Sequence, residues 1–426
     1  MSDWSMHEDN SHAPALRELP ATFWRAFATD FIARSAYQMG KTPVLPLFAA
    51  AVGAGEVLIG LIVAVSTTTG MLTKPLFGAL SDRWGRRVWW FVALCLLAGM
   101  PLLYHFVSTP EQLMGLRFVH GTATAILGPV TLAYIVELGR SGRATRLAWF
   151  GMAREGGYLV APALAGWMLT FMAPADVFTV VGLVSCAAFA PFAFIRFDGD
   201  ADRRAADGRV VGGKNGGLGV SPLAVARDVI RGLRHASTRG ATWIAGGLET
   251  AIYFVTYGLK AFLPLFAIHE GGFGVLVAGL FFTIQEAAHL LARPLGGWVG
   301  DRIGYPMAIS AGMMTLATAL WLISGAETGV MLLAAAIVSG VGQGLVFPST
   351  VALVGDAAGD AHIGAGMGLY GMLRNLGKIS GPVVTGMALS VTSFDVVFSS
   401  LAAGLVLSAL FLLVATGRRQ AQRRTA

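Results

Sequence analysis

Charge is what this sequence has least of. Asp, Glu, Lys and Arg make up 13% of its 426 residues, against about 25% in an ordinary water-soluble domain. Apolar residues make up 55% and the mean hydropathy is +0.65, which excludes both a soluble globule and a disordered chain. Cysteine is nearly absent. Cys95 and Cys186 both fall inside apolar stretches, leaving no disulfide framework and no cysteine zinc site. Gly-x-Ser-x-Gly and His-Glu-x-x-His are also missing, and no catalytic nucleophile or ATP site can be assembled. Two look-alikes fall away. Glu286-x-x-His289 has di-metal spacing but no second copy, and Gly40-Lys41-Thr42 ends like a phosphate loop yet lies in an apolar stretch with Ser at position 35. The expectation is a protein that is not an enzyme and needs no cofactor or metal.

What is present is long apolar blocks. A membrane-crossing helix needs about 20 mostly apolar residues. Twelve such spans can be drawn, at 22–49, 56–80, 88–108, 112–138, 146–172, 177–197, 241–268, 273–299, 306–325, 328–355, 364–390 and 394–416. Glycine, 55 of the 426 residues, suits close helix packing in lipid. The alternating strands of a porin-type barrel are not visible. The polar stretch from Met1 to Ala21 does not read as a signal peptide.

The loops between spans alternate in charge. One set holds Arg83, Arg86 and Arg87, then Arg140, Arg143 and Arg146, nine basic residues from Arg196 to Arg239, Arg302, and the tail Arg418, Arg419, Arg423 and Arg424. The other set has no Lys or Arg and carries Glu56, Glu111, Asp176, Glu270, Glu327 and Asp395. By the positive-inside rule both termini and the central loop lie in the cytoplasm, so the chain is expected in the cytoplasmic (inner) membrane. The net charge of +7 is thereby accounted for without nucleic acid. Residues 198–240 form one long hydrophilic insertion, Gly-rich from Gly208 to Gly219, in which Ser221-Pro222 starts a candidate amphipathic helix through Ser237.

Self-comparison gives the organising signal. Gly40 and Leu45 to Ala49 recur as Gly258 and Leu263 to Ala267, at an offset of 218. Pro75-Leu76-x-Gly78-x-x-x-Asp82-Arg83-x-Gly85 recurs as Pro294-Leu295-x-Gly297-x-x-x-Asp301-Arg302-x-Gly304, and Gly121 and Pro129 recur as Gly340 and Pro348, both at 219. Arg154, Gly157, Pro162 and Gly166 recur as Arg374, Gly377, Pro382 and Gly386, at 220. Six spans per half make the repeat parallel, with its axis along the membrane normal. The expected organisation is an N-terminal tail (1–21), a six-helix bundle (22–197), the central loop (198–240), a second bundle (241–416) and a basic tail (417–426). Two bundles around a cleft can rock about a central site, which is alternating access.

The run Gly78-Ala-Leu-Ser-Asp82-Arg83-Trp-Gly85-Arg86-Arg87 resembles the signature between spans 2 and 3 of the major facilitator superfamily, and Gly297 to Gly304 resembles its degenerate copy between spans 8 and 9. The resemblance covers essentially the whole chain. It implies an all-α membrane protein of twelve transmembrane helices in two six-helix bundles, working as a secondary transporter. It also implies a cytoplasmic latch built from Gly78, Asp82, Arg83, Gly85, Arg86, Asp301 and Arg302. Arg117, Gly121 and Ala125, at four-residue spacing on one helical face, resemble the family's span-4 motif, whose Arg faces the centre in proton-coupled relatives. Gly157, Pro162 and Gly166 in span 5, with Gly377, Gly381, Pro382 and Gly386 in span 11, resemble a motif of the family's exporters. Two of its expected glycines are Ala in the first copy.

Charges inside spans are costly and usually functional. Glu286, nearest mid-membrane by count, Asp30 and Glu249 are the proton-coupling candidates. Arg34, Tyr37, Lys41, Arg117, Arg154, Tyr257, His289, Arg374 and Lys378 are the substrate-cleft candidates, and Lys260 and Arg293 lie in spans as well. Equal depth predicts two pseudo-symmetric ion pairs, Asp30 with Arg154 and Glu249 with Arg374. The cationic excess leans towards an anionic or zwitterionic solute. The expected function is proton-driven export of a small organic molecule (metabolite, siderophore or drug), with proton-coupled import of an organic acid as the alternative. The expected partners are that solute, protons and the bilayer, with the protein a monomer.

Overall fold

The computed structural model describes residues 19–138, 143–197, 240–358 and 363–425. The N-terminal tail to residue 18, Arg140, and most of the central insertion with its candidate amphipathic helix lie outside them. The described residues are helical, and the twelve expected spans are all there. Span 1 is Ala21–Met39 followed by Val44–Ala51. Spans 2 to 5 are Glu56–Trp84, Arg86–Leu103, Pro110–Glu137 and Arg143–Met168. Span 6 is Pro174–Cys186 continued by Phe189–Ala193. Spans 7 to 12 are Gly240–His269, Val275–Ile303, Tyr305–Ser324, Gly329–Ala358, Ile363–Leu389 and Phe394–Thr425.

Two spans differ from expectation. Span 1 is broken at residues 40–43, where Pro43 removes a backbone donor and Gly40 lies close against the Phe178 ring. Span 12 continues past the expected end at 416 to Thr425, because Arg, Gln and Ala are good helix formers and propagate the apolar segment's helix. Among the described residues nine helices are long and apolar enough to cross a membrane by composition alone. Spans 1, 5 and 11 are not among them, and these three carry Asp30, Arg34, Lys41, Arg154, Glu155, Arg374 and Lys378.

The sequence repeat is reproduced in the packing. Gly121 lies on the backbone of Ser66, and its repeat counterpart Gly340 lies on the backbone of Gln285. Each glycine lets span 4 or 10 approach span 2 or 8 more closely than a Cβ would allow. Gly157 packs on Ser35 of span 1, while Gly377 and Gly381 pack on Thr250 and Phe254 of span 7.

The halves meet where span 2 crosses span 11 and span 5 crosses span 8, at the end of the molecule away from the termini. There Gly60 faces the carbonyl of Pro382, Gly386 that of Glu56, and Gly279 that of Pro162 and the Cα of Gly166. An apolar cluster spans the same level, joining Leu45, Phe48 and Ile62 of the first half to Phe262, Leu389 and Val397 of the second.

Candidate functional site

Below that closed end lies a cavity between the halves. Lys41 reaches it from span 1, Tyr158 from span 5, Tyr257 and Lys260 from span 7, and Phe282 and Glu286 from span 8. The break in span 1 places Lys41 there: Gln38 and Thr42, on either side of the turn, line the same cavity. Pro162 lines it too, so the residue that lets spans 5 and 8 cross also forms the cavity wall.

The ring of Tyr257 is the centre of the site. Lys41 Nζ is 5.3 Å from its centroid, Lys260 Nζ 5.4 Å and Lys378 Nζ 5.4 Å. Lys260 also lies 5.6 Å from the Tyr158 ring, and Lys378 4.7 Å from that of Tyr253. A ring face attracts a cation, which holds the ammonium groups in place without neutralising them. Among the described residues none of the three forms an ion pair with a carboxylate. Even at about 11 Å, the widest separation this geometry permits, two such charges repel by roughly 1.5 kcal/mol at an effective dielectric of 20. An anion between them relieves that repulsion.

The acids of the spans are mostly committed elsewhere. Asp30 Oδ2 takes Arg34 Nε at 2.6 Å along its own helix, so the expected Asp30–Arg154 pair is not formed. Arg154 is more than half exposed and lies 3.5 Å from Glu155. Glu249 is buried and accepts from the Thr350 hydroxyl at 3.1 Å, with Tyr370 Oη 3.1 Å from the same hydroxyl. Arg374 stacks on Tyr253 and Tyr370, at 5.6 and 5.9 Å, in place of the expected direct bond to Glu249. In both cases residues of equal depth fail to meet because a nearer partner exists.

Glu286 is different, since it lines the cavity. Its Oε1 is 3.3 Å from His289 Nδ1, and Arg293 Nε donates to His289 Nε2 at 3.3 Å. An accepting Nε2 makes the imidazole neutral, with its proton on Nδ1 donated to Glu286. Arg293 continues across the halves to Glu155 of span 5, 3.7 Å away, and covers the Phe347 ring at 4.8 Å.

Arg117 is not at the cavity. It is 1% exposed and donates to Ser66 Oγ at 2.9 Å and Tyr104 Oη at 3.4 Å, with the Tyr37 ring 5.8 Å away. His120 completes this cluster, its Nδ1 3.1 Å from Tyr104 Oη and its ring edge-to-face on Tyr37. Arg117 is enclosed by protein on all sides, so its side chain does not extend to the membrane surface.

A model of the Major Facilitator Superfamily matches residues 31–285 and again 250–426. The chain belongs to that superfamily. It is accordingly a multi-pass membrane protein and a secondary transporter, not an enzyme. Over 368 residues it is 22% identical to Multidrug resistance protein 1 of Bacillus subtilis, covering 82% of this chain and 85% of that one. It is 26% identical over 370 residues to the probable nitrate/nitrite transporter NarK2 of Mycobacterium tuberculosis, covering 83% and 84%. Among solved structures, the peptide transporter POT in complex with sulfate superposes with a TM-score of 0.70 at 14% identity, over 95% of this chain and 96% of that one. The nucleoside transporter NupG gives 0.70 at 15%, over 92% and 98%. These two share its fold.

The superfamily signature between spans 2 and 3 forms a compact charge cluster in this member. Arg86 is its hub: it pairs with Asp82, reaches Glu137 Oε1 at 2.8 Å, and donates to Ser81 Oγ at 2.6 Å. Gly85 makes the turn at φ 87°, and Gly304 repeats it at φ 91°, a region glycine enters without strain. Glu137, at the end of span 4, was not marked by the sequence motif, and only the fold brings it to Arg86. The second copy is looser. Asp301 accepts from Tyr305 Oη at 3.4 Å, and Arg302 lies over the Trp298 ring at 4.3 Å.

Proposed function

We propose that this transporter carries a small organic anion across the cytoplasmic membrane, coupled to protons. The observation that carries the reading is the meeting of Lys41, Lys260 and Lys378 on the ring of Tyr257 with no carboxylate partner among the described residues. A cationic drug would be repelled by this site. Glu286, in the same cavity, is the group proposed to load the proton. The charge pattern of the loops supports cytoplasmic termini, Arg86 with Asp82 and Glu137 supports a latch on that side, and a single chain contains a complete cleft.

Export is the proposed direction. It rests on the glycine and proline residues of spans 5 and 11 and on the likeness to a protein named for multidrug resistance. One observation favours inward symport as the second reading. Protonating Glu286 removes the negative charge nearest the lysines, so proton and anion would bind together rather than in turn. Reconstituted liposomes decide between them. With an imposed pH gradient, uptake of an organic anion from the acidic side supports symport, uptake from the alkaline side supports export by exchange, and no gradient-driven flux of any anion defeats the reading.

A further inference from the structure

We propose that the central cleft takes its solute as a dianion, with two acidic groups carried on one flat body short enough to lie within the lysine cluster. This rests on the anion reading above and narrows it.

Charge balance sets the number of acidic groups. Three ammonium groups meet on the Tyr257 ring, and two of them, Lys41 and Lys260, line the cavity with that ring and with one carboxylate, Glu286. A single bound negative charge would leave this cluster of three lysines and Glu286 with an unbalanced positive charge in a poorly solvated place, whereas two bring it to neutrality. Each ammonium lies within 5.4 Å of one centroid, which fixes the span that two acidic groups can occupy.

Hydrogen-bond polarity gives a second, independent argument. Around the lysines stand the phenols of Tyr158, Tyr253 and Tyr257, whose hydroxyls have no hydrogen-bond partner among the described residues. Phenols and ammonium groups both donate, so the lining offers donors in excess and asks for a ligand rich in acceptor oxygens. Carboxylates, phosphates and sulfonates meet that demand. A neutral amine or a quaternary cation does not. Tyr158, Tyr257 and Phe282, which line the cavity, give a planar apolar body surfaces to lie against.

The test compares matched pairs on the purified full-length protein: benzoate with isophthalate, and butyrate with succinate. Binding is followed by thermal shift at constant ionic strength, with benzamide and tetraethylammonium as neutral and cationic controls. The expected result is that the dianion of at least one pair binds about tenfold or more tightly than its monoanion. Lys378→Gln, or Lys41→Gln should the first variant fold poorly, is expected to erase that advantage, bringing dianion and monoanion affinities to within about threefold of each other. Equal or weaker binding of both dianions, including no binding, overturns the proposal. If the monoanions then bind as well as the dianions, the anion reading survives alone. If only a control binds, both readings fall.

Discussion

Gly60 of span 2 rests against the carbonyl of Pro382 in span 11. The same relationship recurs at the other crossing, between Gly279 of span 8 and Pro162 of span 5. Gly60 and Gly279 are counterparts in the sequence repeat, as are Pro162 and Pro382, so one ancestral contact now closes the molecule on both sides of its axis. Beside the second crossing the Ala163 N–H donates to Thr283 Oγ1 at 3.0 Å.

Because no Cβ fits at these crossings, Gly279→Val is expected to hold the far end open. With Cys95 and Cys186 replaced by serine, a single cysteine at Val275 should label several-fold faster in that background, and transport should fall about tenfold or more. Unchanged labelling would mean that the crossing does not gate the cleft.

The Arg86 cluster predicts a ranking. The Arg86 side chain is 7% exposed, that of Glu137 30% and that of Asp82 64%. Arg86 holds Asp82, Glu137 and Ser81 at once, so Arg86→Ala should cost the most, about 2–3 kcal/mol. Glu137→Gln should cost about 1–2 kcal/mol, and Asp82→Asn under about 1 kcal/mol, since that partner is solvated. Melting temperatures in detergent should follow the same order.

Arg117 and Lys378 should separate binding from stability. Arg117 lies off the cavity against Ser66 and Tyr104, so Arg117→Met should leave isophthalate affinity within about threefold. Replacing a buried charge with an apolar side chain of similar length should change stability little. A loss of affinity as large as that in Lys378→Gln would return Arg117 to the solute site.

The pH dependence of binding has a definite sign. Charged Glu286 opposes an anion held by Lys260 and its neighbours, and its protonation removes that opposition. Affinity for isophthalate should therefore rise as pH falls through the range in which Glu286 takes up its proton, and by linkage anion binding should raise that proton affinity equally. Glu286→Gln should bind tightly at every pH and show no slope. Fluxes driven by a pH gradient should disappear in that variant while solute exchange continues. A slope that persists would point to another titrating group, with Asp30 next to be tested.

The linear sequence carried the architecture. Twelve apolar blocks, a repeat that copies one half onto the other and the signature at Gly78 to Arg87 were sufficient for the fold, because in lipid every backbone polar group must be satisfied within its own helix. The number and order of spans then follow from hydropathy, and duplication copies the packing, as Gly121 on Ser66 and Gly340 on Gln285 show. Which charges meet was a tertiary matter. Depth suggested Asp30 with Arg154, yet a rotation of about 100° per residue leaves Asp30 beside Arg34, and Arg86 found Glu137 from 51 residues away. Lys41, Lys260 and Lys378 stand far apart in sequence, in spans 1, 7 and 11. Only the break in span 1 and the crossing of the two halves bring their ammonium groups to one tyrosine ring, where their mutual repulsion creates a demand for an anion.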